Sequence, residues 1–275
     1  MIFLISTTQR CGSTWLTRIL SQLVSDEIRA AGDAESVNHF RAEYVDGNAK
    51  GFERIAPTPD SAISKLASEI MTRSVFARGK FFGVFKTHDV PAKDFDRVAA
   101  KLPDLRLFTV SRDFKDVVVS RYFYYRYYWH TDPGLGPLPA WIPPYMQRNS
   151  TASDADALSR IATDPILNGW ASDWAAFETP FQTKNALRVS YEGMLAGKEM
   201  TQLELFLGRS IPSVNSFAVE QSIESKLGRQ GESRFNRCGK SGQWKKYFSE
   251  PTVAGMDSLA SEALVFSQKS TGSAR

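Results

Sequence analysis

The first residues that could do chemistry lie in a polar loop near the N-terminus. Residues 7–15 read TTQRCGSTW and separate an apolar run, residues 2–5, from a helical pattern. A loop in that position offers backbone N–H groups and a favourable helix dipole to an anion. Its cationic, small and hydroxyl-bearing residues are Arg10, Gly12, Ser13 and Thr14. They predict a phosphate cradle without the Gly-Lys-Ser/Thr ending of nucleotide hydrolases; the alternative is an ordinary turn with Ser or Thr as N-cap.

Two later segments also combine positive charge with a suitable context. Residues 110–121 run from a strand pattern into a helical one, with Arg112 at the strand end and Ser120 eight residues later. Eight residues are about two helical turns, so both side chains could reach one anion; a structural ion pair is the alternative. Residues 234–245 are basic and contain two glycines, which favours either an anion clamp or a solvated surface loop.

Taken in order, these segments resemble the sulfotransferases that use 3′-phosphoadenosine 5′-phosphosulfate (PAPS). Residues 7–15 are similar to the family's T-Y-P-K-S-G-T-T-W loop, with Arg10 in place of lysine and Cys11 in place of serine. The other matches are residues 111–120 with R-N-P-K-D-x-x-x-S, residues 237–245 with R-K-G-x-x-G-D-W-K, and residues 188–192 with a strand ending in Tyr-Glu. The resemblance covers most of the chain, from residue 5 to about residue 248.

The resemblance implies PAPS as the sulfuryl donor, PAP as its product and a defined set of binding residues. Those residues are Arg10, Cys11, Gly12, Ser13, Thr14, Trp15, Arg112, Ser120, Tyr191, Arg237, Cys238 and Gly239. Arg10 keeps the charge of the lysine that it replaces, whereas Cys238 removes one cation from the third segment. The resemblance therefore supports the cofactor class rather than a tight affinity.

A histidine is the candidate general base. His88 lies in the segment KTHDVP, which resembles the K-T-H-x-P segment of the cytosolic sulfotransferases, and imidazole can accept the proton of an attacking hydroxyl near neutral pH. Lys86 and Arg10 are the cations expected to stabilise the leaving phosphate. The runners-up for the base are Asp33, Glu35 and His130. The chain's three histidines show no metal-ligand spacing, so we expect no metal.

Aromatic residues mark a candidate acceptor site. Residues 121–130 contain seven aromatic side chains, which suits a pocket for a small hydroxylated organic acceptor. The alternative is that Tyr122, Tyr125 and Trp129 are the buried face of a helix. Single-stranded nucleic acid, a third possibility for interleaved basic and aromatic residues, has no other support. The Pro-rich residues 127–165 are the candidate substrate-covering lid.

Alternating elements must position these residues. Apolar runs predict strands near residues 2–5, 81–85, 106–110 and 187–190, and helical periodicity predicts helices near residues 14–23, 61–74, 115–125 and 200–207. This order predicts an α/β fold with a central parallel sheet flanked by helices. The resemblance implies that this fold is of the P-loop-like nucleotide-binding type. With no repeat or linker, residues 1–275 are expected to form one domain.

Composition limits the function classes. The 275 residues are 42% hydrophobic with a net charge of +4, which excludes a disordered chain and argues against a dedicated nucleic-acid binder. Two cysteines and a short apolar start predict a cytoplasmic protein without a membrane span, its thiols free but open to oxidation. Residues 252–257 resemble part of the C-terminal dimer motif of the cytosolic sulfotransferases, so the sequence leaves open whether the protein forms a homodimer. The competing functions are a P-loop kinase-like phosphotransferase and a non-catalytic nucleotide-binding protein.

Overall fold

The fold is described by a computed structural model that covers residues 1–33, 36, 40, 42–45, 58–129, 136–211 and 241–272. Its centre is a sheet with the strand order β2-β4-β1-β5-β6, in which all neighbours on this path run parallel. The strands are β1 (Ile2–Ser6), β2 (Glu43–Tyr44), β3 (Val75–Ala77), β4 (Lys80–Thr87), β5 (Leu105–Ser111) and β6 (Ala186–Ser190). The short β3 pairs antiparallel with β4.

Helices follow the strands and cover the sheet. They are α1 (Ser13–Ala30), α2 (Asp60–Arg73), α3 (Phe95–Lys101), α4 (Phe114–Phe123), α5 (Asp154–Ile161), α6 (Ile166–Glu178), α7 (Tyr191–Leu195), α8 (Met200–Leu207) and α9 (Glu250–Gly272). Helix α4 continues as one π-helical turn, Tyr124–Tyr128. Short 3₁₀ helices occupy Ala92–Asp94, Pro144–Met146 and Gln243–Lys246. No helix in these ranges is both long and apolar enough to cross a bilayer.

The two faces of β1 show why the sheet is buried on both sides. Phe3 and Ile5 belong to the apolar cluster that includes α1 and α8, whereas Ile2 and Leu4 belong to the cluster that includes α2 and α3. Successive side chains of a strand point to opposite faces, so a continuous apolar run requires helices above and below. A third cluster joins α4, α5, α6 and α9. The predicted α/β class with a parallel sheet flanked by helices is confirmed.

The candidate lid, residues 127–165, is more regular than its proline content indicates. It contains α5 and a 3₁₀ turn, and the guanidinium of Arg126 fixes the chain before α5. Arg126 Nη2 donates to the carbonyl oxygen of Ala152 at 2.7 Å, and Arg126 Nη1 donates to that of Tyr145 at 3.2 Å. These bonds hold residues 145–152 against the π-helical turn. Residues 130–135 lie outside the described ranges.

Candidate active site

Four of the segments that sequence analysis singled out follow the carboxyl ends of β1, β4, β5 and β6. Because these strands are parallel neighbours, the loops that follow them meet at one edge of the sheet. The register places Ser6 beside Thr87 and Ser111 beside Ser190, so the four strands end at similar heights. This edge is the candidate active site.

Gly12 ends the first loop and begins helix α1. It is the N-cap residue, with a φ of 92°, and no side chain caps the helix. A Cβ atom added at Gly12 would lie 2.3 Å from Cδ2 of Tyr191, so the Tyr191 ring packs directly on this backbone. The alternative of a Ser or Thr N-cap is therefore wrong. The first turn of α1 contains no acidic residue, which leaves its N–H groups and dipole suited to an anion.

Two arginines connect the first loop to its neighbours: Arg10 lies in the loop, and Arg112 follows β5. Arg112 Nη1 donates to the carbonyl oxygen of Arg10 at 2.8 Å, and the Arg112 guanidinium carbon lies 4.4 Å from the centre of the Tyr191 ring. Arg10 Nε donates to Ser120 Oγ at 3.2 Å, and its guanidinium carbon lies 5.0 Å from the centre of the Tyr124 ring. The structure thus brings together residues from three separate motifs, including two guanidinium groups.

Two buried donors at this site, Trp15 Nε1 and Arg112 Nε, have no hydrogen-bond partner within the described ranges, and the second belongs to a cation. A buried donor without a partner costs free energy unless a ligand or water accepts from it. Arg112 Nε and the N–H groups at the uncapped start of α1 are therefore suited to donate to the oxygens of an anionic ligand.

His88 is attached to the same loop. Its Nδ1 lies 2.6 Å from the carbonyl oxygen of Thr7. A carbonyl oxygen can only accept, so Nδ1 donates, and in the neutral ring the lone pair is then on Nε2. The ring of Tyr44 lies 5.8 Å away, centre to centre. Lys86 is half-buried on β4, two residues before His88, and shares its strand face with Val84.

The alternative base Asp33 lies elsewhere. It follows the C-terminus of α1, whose 18 residues span about 27 Å from the first loop. Its carboxylate accepts from the backbone N–H and the hydroxyl of Ser36, and these bonds lower the pKa of Asp33. A carboxylate held in this way is a weak base. The other two alternatives, Glu35 and His130, fall outside the described residues.

Of the two cysteines, the structure describes Cys11, whereas Cys238 lies outside the described residues. Cys11 is fully buried within the first loop, and burial raises the pKa of its thiol to about 12. A thiol with a raised pKa is a poor nucleophile and resists oxidation, because the thiolate is the reactive form. Arg237, Cys238 and Gly239 lie outside the described residues, so their predicted part in binding stays a prediction.

The end of the third segment is nevertheless anchored to the second. The carboxylate of Asp116, on α4, accepts from the backbone N–H groups of Gly242 at 2.6 Å and Gln243 at 2.9 Å. The neighbouring Lys115 forms an ion pair with Asp257 of α9, and its Nζ lies 5.0 Å from the centre of the Trp244 ring. Helix α4 therefore fixes the C-terminal end of the third basic segment.

In the aromatic segment, residues 121–130, some side chains are buried in the core and others lie beside the candidate site. Tyr122 and Tyr125 are buried, and Tyr125 stacks on Trp170 at a centre-to-centre distance of 6.2 Å. They are core residues, as the alternative predicted. Tyr124 instead lies against Arg10 of the first loop, and Trp129 is half-buried beside it at 5.9 Å. A face of the π-helical turn therefore borders the candidate site.

Comparison with known proteins agrees with this architecture. The family model described as the sulfotransferase domain matches residues 2–265. The chain belongs to the sulfotransferase family. Among solved structures it is similar to mouse sulfotransferase SULT7A1 complexed with PAP, at 16% identity and a TM-score of 0.51, covering 96% of this chain and 84% of that one. It is also similar to retinol dehydratase in complex with androsterone and PAP, at 17% identity and a TM-score of 0.49, covering 96% and 80%. No curated protein matches the chain.

Helix α6 of this sulfotransferase supplies contacts that sequence reasoning missed. Trp174 Nε1 donates to the carbonyl oxygen of Arg112 at 2.9 Å, and Thr8 Oγ1 donates to Asp173 Oδ2 at 2.5 Å. The only available signal was the i, i+4 spacing of Trp170 and Trp174 on an apolar helix face. That spacing predicts burial, but it does not show which loop the helix contacts.

The last residue of α6, Glu178, titrates in an unusual range. Burial raises the pKa of its carboxyl to about 7, although Arg188 Nε lies 3.7 Å from its Oε2 and opposes the shift. The unfolded chain loses this proton near the ordinary value of 4.5, whereas the folded chain keeps it until about pH 7. The stability from Glu178 is therefore full below about pH 4.5 and is lost as the pH rises to 7.

Replacing Glu178 with glutamine should remove this pH dependence, because an amide cannot ionise. We expect the free energy of unfolding of the wild type, relative to Glu178→Gln, to fall by up to about 3 kcal/mol between pH 5 and 8. Urea unfolding of both proteins across this range measures the difference and cancels the other titrating groups. Two parallel stability curves would contradict the prediction.

Proposed function

We propose that this sulfotransferase transfers the sulfuryl group of PAPS to a hydroxyl group of a small organic acceptor, with His88 as the general base. The observation that carries the proposal is the 2.6 Å contact between His88 Nδ1 and the Thr7 carbonyl oxygen, because it attaches a base to the phosphate loop. PAP was present in the mouse sulfotransferase structure, which has the same fold. A cytoplasmic location stays a prediction from composition.

The described residues fit such a donor. The N-terminus of α1, Gly12 and Arg10 would hold the 5′ side, while Arg112 and Ser120 would hold the 3′-phosphate. Bound PAPS would supply the sulfuryl group and a phosphate leaving group. From the sequence resemblance, Arg237, Cys238 and Gly239 would complete the nucleotide site. Cys11 in the first loop, the residues Ser13, Thr14 and Trp15 in the first turn of α1, and the neighbouring Tyr191 would belong to it as well.

The proposed sulfuryl transfer uses a base, two cations and an aromatic surface that these residues supply. Nε2 of His88 accepts the proton of the acceptor hydroxyl, whose oxygen forms a bond to sulfur while the bond from sulfur to the phosphate oxygen breaks. Arg10 and Lys86 stabilise the negative charge that develops on that oxygen. Tyr124 and Trp129 offer amphipathic surfaces that suit a ring-bearing acceptor.

Calorimetry separates this function from the kinase alternative. We expect PAP to bind at least about tenfold more tightly than ATP, with or without magnesium, because the site pairs a 3′-phosphate motif with a loop that lacks the Walker lysine. Turnover with labelled PAPS and a panel of hydroxylated acceptors then identifies the acceptor. Tighter, magnesium-dependent ATP binding would overturn the proposal. PAP binding without turnover of any acceptor would favour the non-catalytic alternative.

A further inference from the structure

A buried ion pair lies directly beneath the first loop. The guanidinium of Arg121, on α4, pairs with the carboxylate of Asp173, on α6, and Arg121 is only 4% exposed. Arg121 ends the second basic segment, but sequence analysis assigned neither it nor Asp173 a part in the site. A buried ion pair is weak evidence for stability, because the desolvation of two charges offsets most of their attraction. Its partners in the fold are therefore the better guide to its role.

The third partner is a residue of the phosphate loop. Thr8 is fully buried, and its hydroxyl donates its one hydrogen to Asp173 Oδ2 at 2.5 Å. Arg121 Nη2 donates to both the Thr8 hydroxyl oxygen and the Asp173 carboxylate. The three groups form a closed triangle that joins the loop to two helices far away in sequence.

The loop needs such an anchor because its backbone is strained. Arg10, two residues after Thr8, has a φ of 73°, a left-handed conformation that side chains with a Cβ disfavour. A strained residue keeps such a conformation only when its surroundings fix it. The hydrogen bond from Arg112 to the Arg10 carbonyl fixes the loop from one side, and the triangle at Thr8 fixes it from the other.

We infer that Arg121 and Asp173 are positioning residues that act through Thr8 to hold the first loop, and with it Arg10, in the shape that binds the 5′-phosphate side of the nucleotide. The inference rests on the proposed function. Ser120 lies next to Arg121 on α4 and contacts Arg10, so consecutive residues of one helix contact two side chains of the loop, the Thr8 hydroxyl and the Arg10 guanidinium.

Removing only the hydroxyl of Thr8 tests this role. Thr8→Val keeps the shape of the side chain and leaves the Arg121–Asp173 pair in place, and Thr8→Ser restores the hydroxyl. Thr109→Val is the matched control, because Thr109 is also fully buried and its hydroxyl has no partner among the described residues. The ligands are PAP, adenosine 5′-monophosphate and adenosine 3′-monophosphate, measured by calorimetry.

We expect Thr8→Val to bind PAP and adenosine 5′-monophosphate about tenfold more weakly, as the loss of one buried hydrogen bond allows. Its affinity for adenosine 3′-monophosphate should stay within about twofold, and Thr8→Ser and Thr109→Val should bind all three ligands like the wild type. Should the valine variant not fold, Thr8→Ala takes its place.

The outcomes distinguish the two proposals. Equal losses for the 5′ and 3′ ligands, or no loss at all, would overturn the positioning role while the wild type still binds PAP. A wild type that does not bind PAP would overturn the proposed function and this inference with it. A loss confined to ligands that carry the 5′-phosphate supports both.

Discussion

Replacing His88 with alanine is expected to lower turnover by about three orders of magnitude while PAP affinity changes little. General-base catalysis contributes about 10²- to 10⁴-fold, and His88, which contacts the Thr7 carbonyl oxygen of the first loop, is the proposed base. Steady-state kinetics with labelled PAPS measures the first effect, and calorimetry with PAP measures the second.

A second variant separates the base from the hydrogen bond that orients it. The amide of His88→Asn can still donate to the Thr7 carbonyl, but it has no nitrogen that accepts a proton near neutral pH. We therefore expect it to bind PAP like the wild type and to be as inactive as the alanine variant. Substantial activity in His88→Asn would move the base to Glu35 or His130, since Asp33 lies at the far end of α1.

Replacing Gly12 with alanine should remove nucleotide binding and destabilise the fold. The new Cβ would lie 2.3 Å from the Tyr191 ring, at a backbone φ of 92°. Left-handed strain and a forced shift of the ring together are expected to lower the free energy of unfolding by about 2–4 kcal/mol. The shift also displaces Tyr191 from Arg112, so we expect PAP affinity to fall by more than about tenfold.

Gly197 offers the matched control. Its φ is 71°, also left-handed, but no atom lies within 4 Å of the Cβ that alanine would add. Gly197→Ala should therefore show the conformational strain alone, about 1 kcal/mol, with PAP affinity unchanged. Denaturant unfolding and calorimetry on both variants measure the difference. Similar affinities in the two variants would show that the contact between Gly12 and Tyr191 has no part in binding.

Much of the fold could be predicted because it depends on local patterns. The apolar runs predict β1, β4, β5 and β6 to within two residues, and the predicted helix at residues 200–207 matches α8. Alternating strands and helices imply a parallel sheet, and a parallel sheet gathers its loops at one edge. The predicted helix at residues 115–125 instead ends at Phe123 and continues as a π-turn, a change of hydrogen-bond pattern that apolar periodicity does not encode.

The candidate site shows the same distinction between local sequence patterns and tertiary contacts. The α/β class, the sulfotransferase motifs and the loops that carry Arg10, His88 and Arg112 can be read from residue types and spacing, because these act over short distances. Three features depend on tertiary packing: Gly12 rather than a hydroxyl residue precedes α1, Nδ1 of His88 donates, and α6 contacts the first loop. The bond from Thr8 to Asp173 spans 165 positions, and no local periodicity encodes a contact that exists only after the chain has packed.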